Sequence, residues 1–73
     1  MLVGVKEYRI NRNIPEIVGN TWVDPTSVYL VKDVRVEKGF LYRVSFSQGG
    51  QILIDEESFQ MIMRQVNEGP IKL

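Results

Sequence analysis

Residues 28–67, VYLVKDVRVEKGFLYRVSFSQGGQILIDEESFQMIMRQVN, decide the fold. Two runs rich in β-branched and aromatic residues flank Glu37-Lys38-Gly39. A third follows Gln48-Gly49-Gly50, and an amphipathic stretch closes the segment. That order reads as three strands joined by two hairpins, then a helix. A three-residue first loop, Glu37 to Gly39, pairs Val36 with Phe40, Val34 with Tyr42 and Leu30 with Phe46, which gathers apolar side chains on one face. Gly39 then takes the left-handed position that other residues tolerate poorly. The same register sets Asp33 opposite Arg43 as a cross-strand ion pair. A two-residue Lys38-Gly39 loop instead mixes polar and apolar side chains on both faces. The second turn, read alike, puts Phe46 opposite Ile52 and Val44 opposite Ile54, with Leu53 on the outer face. Side chains alternate along a strand, so burial selects the register.

After Ile54 the period lengthens. Phe59, Ile62, Met63 and Val66 form one helical stripe. Asp55 is placed to cap the helix, Glu56 and Glu57 suit the positive end of its dipole, and Gly69-Pro70 is a stop signal. The stripe is expected to cover the sheet face carrying Val34, Val36, Phe40, Tyr42, Val44, Phe46, Ile52 and Ile54. The expected fold is α+β: a small antiparallel β-sheet, made of an N-terminal strand plus the three-strand meander, with one C-terminal amphipathic helix on one face. Strands are expected at about 2–10, 28–36, 40–47 and 51–54, the helix at about 56–67, and a loosely held tail at 69–73, all in one domain, 1–73.

The N-terminal half is less decided. Residues 2–10 alternate imperfectly and read as an edge strand. Asn13 and Glu16 have the spacing of a capping box with Pro15 early, which favours a helical turn or loop. Gly19-Asn20 equally offers a hairpin between Ile17-Val18 and Trp22-Val23. Trp22, the single tryptophan, reads first as a core residue and second as an interface anchor. Asp24-Pro25-Thr26-Ser27 is a turn or a 3₁₀ connection. It leads into an apolar run from Val28, in which a bulge near Lys32-Asp33 would keep Lys32 out of the core.

Composition narrows the chemistry. The chain has 73 residues, near the lower limit for an unstapled core, and neither Cys nor His. Disulfides, thiolate metal sites, structural zinc sites and His-dependent nucleophilic catalysis are thereby excluded. Gly49-Gly50 sits in a hairpin, not in a phosphate-binding loop before a helix. Asp55, Glu56 and Glu57 lack the alternating spacing of a calcium loop. No catalytic, cofactor or metal site is expected, and no enzyme. Nothing resembles a signal peptide or a membrane span, so a cytoplasmic location is expected. Nine basic and nine acidic residues give a net charge of zero, a poor footprint for phosphate-driven nucleic-acid binding.

Binding remains. With the helix on one face, the other is expected to carry Tyr29, Val31, Arg35, Leu41, Arg43, Ser45, Ser47 and Leu53, part aromatic, part aliphatic and part basic. Tyr29, Arg35, Leu41, Arg43 and Leu53 are the candidates for contact with a protein partner or a second copy of the chain. The alternative is nucleic-acid binding through Lys6, Arg9, Arg12 and Lys38, extended by Arg35 and Arg43, with Tyr29 or Trp22 for stacking.

The run from Tyr42 to Met63 is a strand, a polar Gly turn, a strand and an acidic-Ser helix start. It resembles the tail of the small flagellar FlbD/SwrD family. The longer stretch from Trp22 to Val66 is similar to the later strands of LytTR-type DNA-binding domains. That second resemblance implies DNA reading from loops, here by Lys38, Gln48 and Gln51.

Overall fold

The computed structural model describes residues 2–37 and 39–67, apart from the side chain of Asn67. Five antiparallel strands, β1 (Val3–Asn11), β2 (Ile14–Val23), β3 (Val28–Val36), β4 (Gly39–Phe46) and β5 (Gln51–Ile54), are followed by helix α1 (Glu56–Asn67). A 3₁₀ turn, Pro25–Ser27, joins β2 to β3. The sheet order is β2-β1-β5-β4-β3. The α+β expectation holds, with one strand more than the sequence suggested and with β1 inside the sheet, not at its edge.

The added strand is β2. Arg12 and Asn13 both have left-handed backbones, φ 53° and 66°, as a tight hairpin turn requires. The chain therefore doubles back at once, pairing Asn11 with Ile14 and Val3 with Val23. Neither the helical turn nor the Gly19-Asn20 hairpin forms. Gly19 instead pairs with Glu7 beside a bulge that leaves Val18 unmatched.

Both meander registers differ from expectation. Val36 pairs with Gly39, Val34 with Leu41, Asp33 with Tyr42 and Lys32 with Arg43. The one-residue slip turns this part of β3 over, so Val34 and Val36 leave the helix face and the expected Asp33–Arg43 pair does not exist. In the slipped register Val31 pairs with core Val44, and a bulge between Val28 and Leu30, not near Lys32, lets Val28 pack on the core as well. At the second turn Val44 pairs with Ile52 and Tyr42 with Ile54. That slip is by two residues, so every side chain keeps its expected face. Gly49 and Gly50, at φ 106° and 84°, close a wider turn in which the Phe46 N–H donates to the Gly50 carbonyl at 3.1 Å.

The sheet is open but strongly coiled. Five peptide steps from Val23 to Val28 reach at most about 17 Å. In a flat sheet the four inter-strand steps between β2 and β3 alone measure roughly 19 Å. The connection therefore closes only because the sheet curls towards the helix, and the Ser47 N–H donating to the Ser27 carbonyl at 2.9 Å holds the linker down. Val3, Val5, Val23, Val44, Ile54 and Ile62 fill the concave side. Phe59 stacks on Tyr42 with ring centroids 4.3 Å apart. Burying side chains of this size contributes about 1.5–3 kcal/mol each. The helix stripe is borne out at Phe59, Ile62 and Met63, whereas Val66 is 51% exposed because α1 outruns the core. The stop signal and tail lie outside the described residues.

The helix N-terminus fastens the N-terminal hairpin to the meander. β1 meets β5 at two positions, Glu7 with Ile54 and Tyr8 with Leu53. Beyond them, buried Ser58 accepts the Lys6 N–H at 3.0 Å, replacing the partner that a longer β5 would supply. Asp55 caps the helix as expected, accepting the Ser58 N–H at 2.9 Å, and accepts the Tyr8 hydroxyl at 3.1 Å. Burial works against the Asp55 charge. Hydrogen bonds from Ser58 and Tyr8 and the charge of Lys6 outweigh it, so this carboxyl titrates below the usual aspartate value. Burial, then the Asp55 hydrogen bond, push the Tyr8 phenol up.

Ser58→Ala is expected to cost ~1–3 kcal/mol by leaving the Lys6 N–H unmatched, and Asp55→Ala about 1 kcal/mol as a lost cap, both read by denaturant melts. A depressed carboxyl stabilises the fold at pH values above its unfolded pKa, near 3.9, and the contribution fades as pH falls through the folded value. Acid unfolding of Asp55→Asn is therefore expected to be less steep than that of the natural chain. An unchanged acid limb counts against Asp55 as the acid-sensitive group.

Candidate interaction surface

Register fixes which side chains share the convex face. Across all five strands one row runs Lys32, Arg43, Leu53, Tyr8, Ile17. Alternation from that row places Lys6, Trp22 and Leu30 on the same face. Its charged strand residues are Lys6, Lys32 and Arg43, all cations. Glu7, Glu16 and Asp33 occupy the opposite face, beside Ile54, Arg9 and Tyr42 respectively. The opposite face carries Arg9 and Arg35 as well, and the Asp55 carboxylate reaches the Tyr8 hydroxyl of the outer row, so only the strand side chains of the outer face are of one sign.

Lys32 directly opposite Arg43 is a like-charge cross-strand pair, which costs stability where an opposite pair would add it. Among the described residues the ion pair within 4 Å is Arg9–Glu16, with Arg9 Nε donating to Glu16 at 3.0 Å. That bond and a second from Asn11 outweigh the opposing effect of burial and leave Glu16 titrating below its ordinary value.

Trp22 is 71% exposed. The expectation of a core tryptophan fails and the interface alternative remains. The ring lies over Gly4, where an added Cβ would sit 3.3 Å from it, so a flat indole face is presented outward because β1 has no side chain there. Trp22 also borders an open cleft of about 370 Å³, lined by Leu2, Thr21, Phe46, Gln48 and Gly49 among others, where the coiled sheet brings β2 towards the β4–β5 turn.

The sequence-based candidates are divided by the structure. Arg43 and Leu53 lie on the outer face as expected. Leu41 shares that face but is 4% exposed and offers no contact surface. Arg35 pairs with Phe40 on the helix side, and Val31 packs on the core. Tyr29 is 75% exposed, at the β3 bulge on the sheet edge. Lys6, Arg9 and Arg12 do not form one basic group: Lys6 is on the outer face, Arg9 on the other and Arg12 in the hairpin turn. Lys38 lies outside the described residues. Trp22 is reached from the sequence as an anchor or stacking residue, whereas Ile17 and Lys32 are not, since their placement depends on β2 and on the slipped β3 register. Among the described residues no cluster of three or more metal-ligating side chains occurs, and no helix is long and apolar enough to cross a membrane.

Arg43→Glu converts the like-charge pair into an opposite one. It is expected to leave the fold unharmed or stabilise it by ~0.2–1 kcal/mol at low salt, with the gain shrinking as salt screens it. A destabilised Arg43→Glu variant contradicts the side-by-side placement of Lys32 and Arg43. Comparisons of this chain with protein-family models, with curated proteins and with solved structures return no match.

Proposed function

We propose that the chain is a non-enzymatic interaction module, an accessory or regulatory protein of a bacterium or phage, that docks a protein partner on the convex face of its sheet. The observation carrying this reading is Trp22, held flat on Gly4 and largely exposed on the face that also bears Ile17 and Leu30, both exposed as well. Trp22 and Ile17 stand on β2 and Leu30 on the opposite edge strand β3, and an exposed tryptophan is among the residue types most enriched at contact hot spots. The helix meanwhile occupies the concave face with the chain's own core.

Self-association belongs to the same reading, because a zero net charge opposes it weakly. Nucleic-acid binding is the second reading, favoured by the outer-face cations Lys6, Lys32 and Arg43 and by the exposed indole.

Light scattering combined with capture from a lysate, using the natural chain and Trp22→Ala, tests the first reading. A partner or second copy bound by the natural chain and weakened in Trp22→Ala is expected. A strict monomer that captures nothing overturns it. For the second reading, salt-sensitive amide shifts at Lys6, Lys32 and Arg43 on titration with short DNA or RNA are required.

A further inference from the structure

The free face has a polarity of its own, and it says what kind of segment fits. Along the transverse row the two cations, Lys32 and Arg43, stand together at the β3–β4 end, and Leu53, Tyr8 and Ile17 follow towards β2. The row crosses four inter-strand steps, roughly 19 Å of surface, the length of about six extended residues. A one-residue change of register would have paired Arg43 with Asp33. The folded chain instead opposes it to Lys32 and keeps Asp33 on the other face.

We propose that the partner presents an acidic segment to this row, with carboxylates over Lys32 and Arg43 and apolar side chains over Leu53 and Ile17. The proposal rests on the protein-interaction reading and names the chemistry of its partner. Carboxylates brought between Lys32 and Arg43 turn an unfavourable pair into two favourable ones, so the local cost in the free protein becomes affinity in the complex. A polynucleotide suits the row less well. It repeats its charge along its whole length, whereas the β1–β2 end of the row carries Ile17 and Tyr8, whose hydroxyl is bonded to the Asp55 carboxylate, and the isoelectric point of about 6.2 gives no general attraction for phosphate.

The test uses the whole chain, isotopically labelled, and three synthetic probes. One is an acidic peptide, Asp-Glu-Asp-Leu-Leu-Ile between glycine flanks. The second has lysine at each acidic position, and the third is a short single-stranded oligothymidylate. Amide shifts at Lys32, Arg43, Leu53 and Ile17 are expected with the acidic peptide and not with the lysine peptide. Arg43→Glu, and separately the neutral double variant Lys32→Gln/Arg43→Gln, are expected to weaken the acidic peptide by about tenfold or more. Melting curves taken alongside separate this loss from unfolding. The proposal is overturned if the acidic and lysine peptides bind alike or not at all, if the variants bind as well as the natural chain, or if the oligothymidylate binds more tightly. A chain that captures a protein partner yet ignores peptide charge defeats this proposal alone. One that binds neither partner nor peptide defeats the interaction reading as well.

Discussion

The two cross-strand pairs between β1 and β5, completed by the helix cap, are the joint on which this small domain depends. Without them the N-terminal hairpin would be an isolated pair of strands, a unit barely stable in water. β5 has only four residues and cannot cover the length of β1. The first turn of α1 takes over. Ser58 receives the backbone donor that β5 leaves free, and Asp55 holds Tyr8 while capping its own helix. One short segment, Asp55 to Ser58, therefore starts the helix and closes the sheet. Helix and sheet become a single cooperative unit despite a core of few fully buried side chains.

That joint also separates the work of the two faces. The helix needs the concave side, where Tyr42, Val44, Ile54 and Phe59 pack with the valines of β1 and β2. The convex side carries buried Leu41 and Val36 and the tethered Tyr8, and beside them groups that the packing does not use: a tryptophan laid over a glycine, an exposed isoleucine and two cations side by side. Features that cost stability locally tend to be kept where they serve binding. The proposed interaction surface rests on this distribution of side chains and not on resemblance to any known protein.

How much was legible in the sequence differed by element. The β4–β5 faces, the helix and its Asp55 cap were readable because each rests on local periodicity or on turn and cap chemistry within a few residues. The β3 register was not. A turn one residue different from the observed one also gives an apolar face, and only the bulge at Tyr29 reconciles the slipped pairing, which puts Val31 on the core, with packing of Val28 there too. Reading the turn as a three-residue loop placed Arg35 on the outer face and left Lys32 off it. β2 was missed because its signal, two left-handed residues at Arg12-Asn13, resembled a capping box followed by Pro15.

The sequence by itself determined an α+β class, a meander ending in a capped amphipathic helix, and the absence of any His- or Cys-based chemistry. These depend on composition and on interactions between near neighbours. Only the tertiary structure decided that β1 lies inside the sheet, that Trp22 faces outward and that Lys32 stands against Arg43. Each depends on pairing between distant segments, where several registers bury nearly equal apolar area and the choice falls to the coil of the sheet and the closure of β1 on β5.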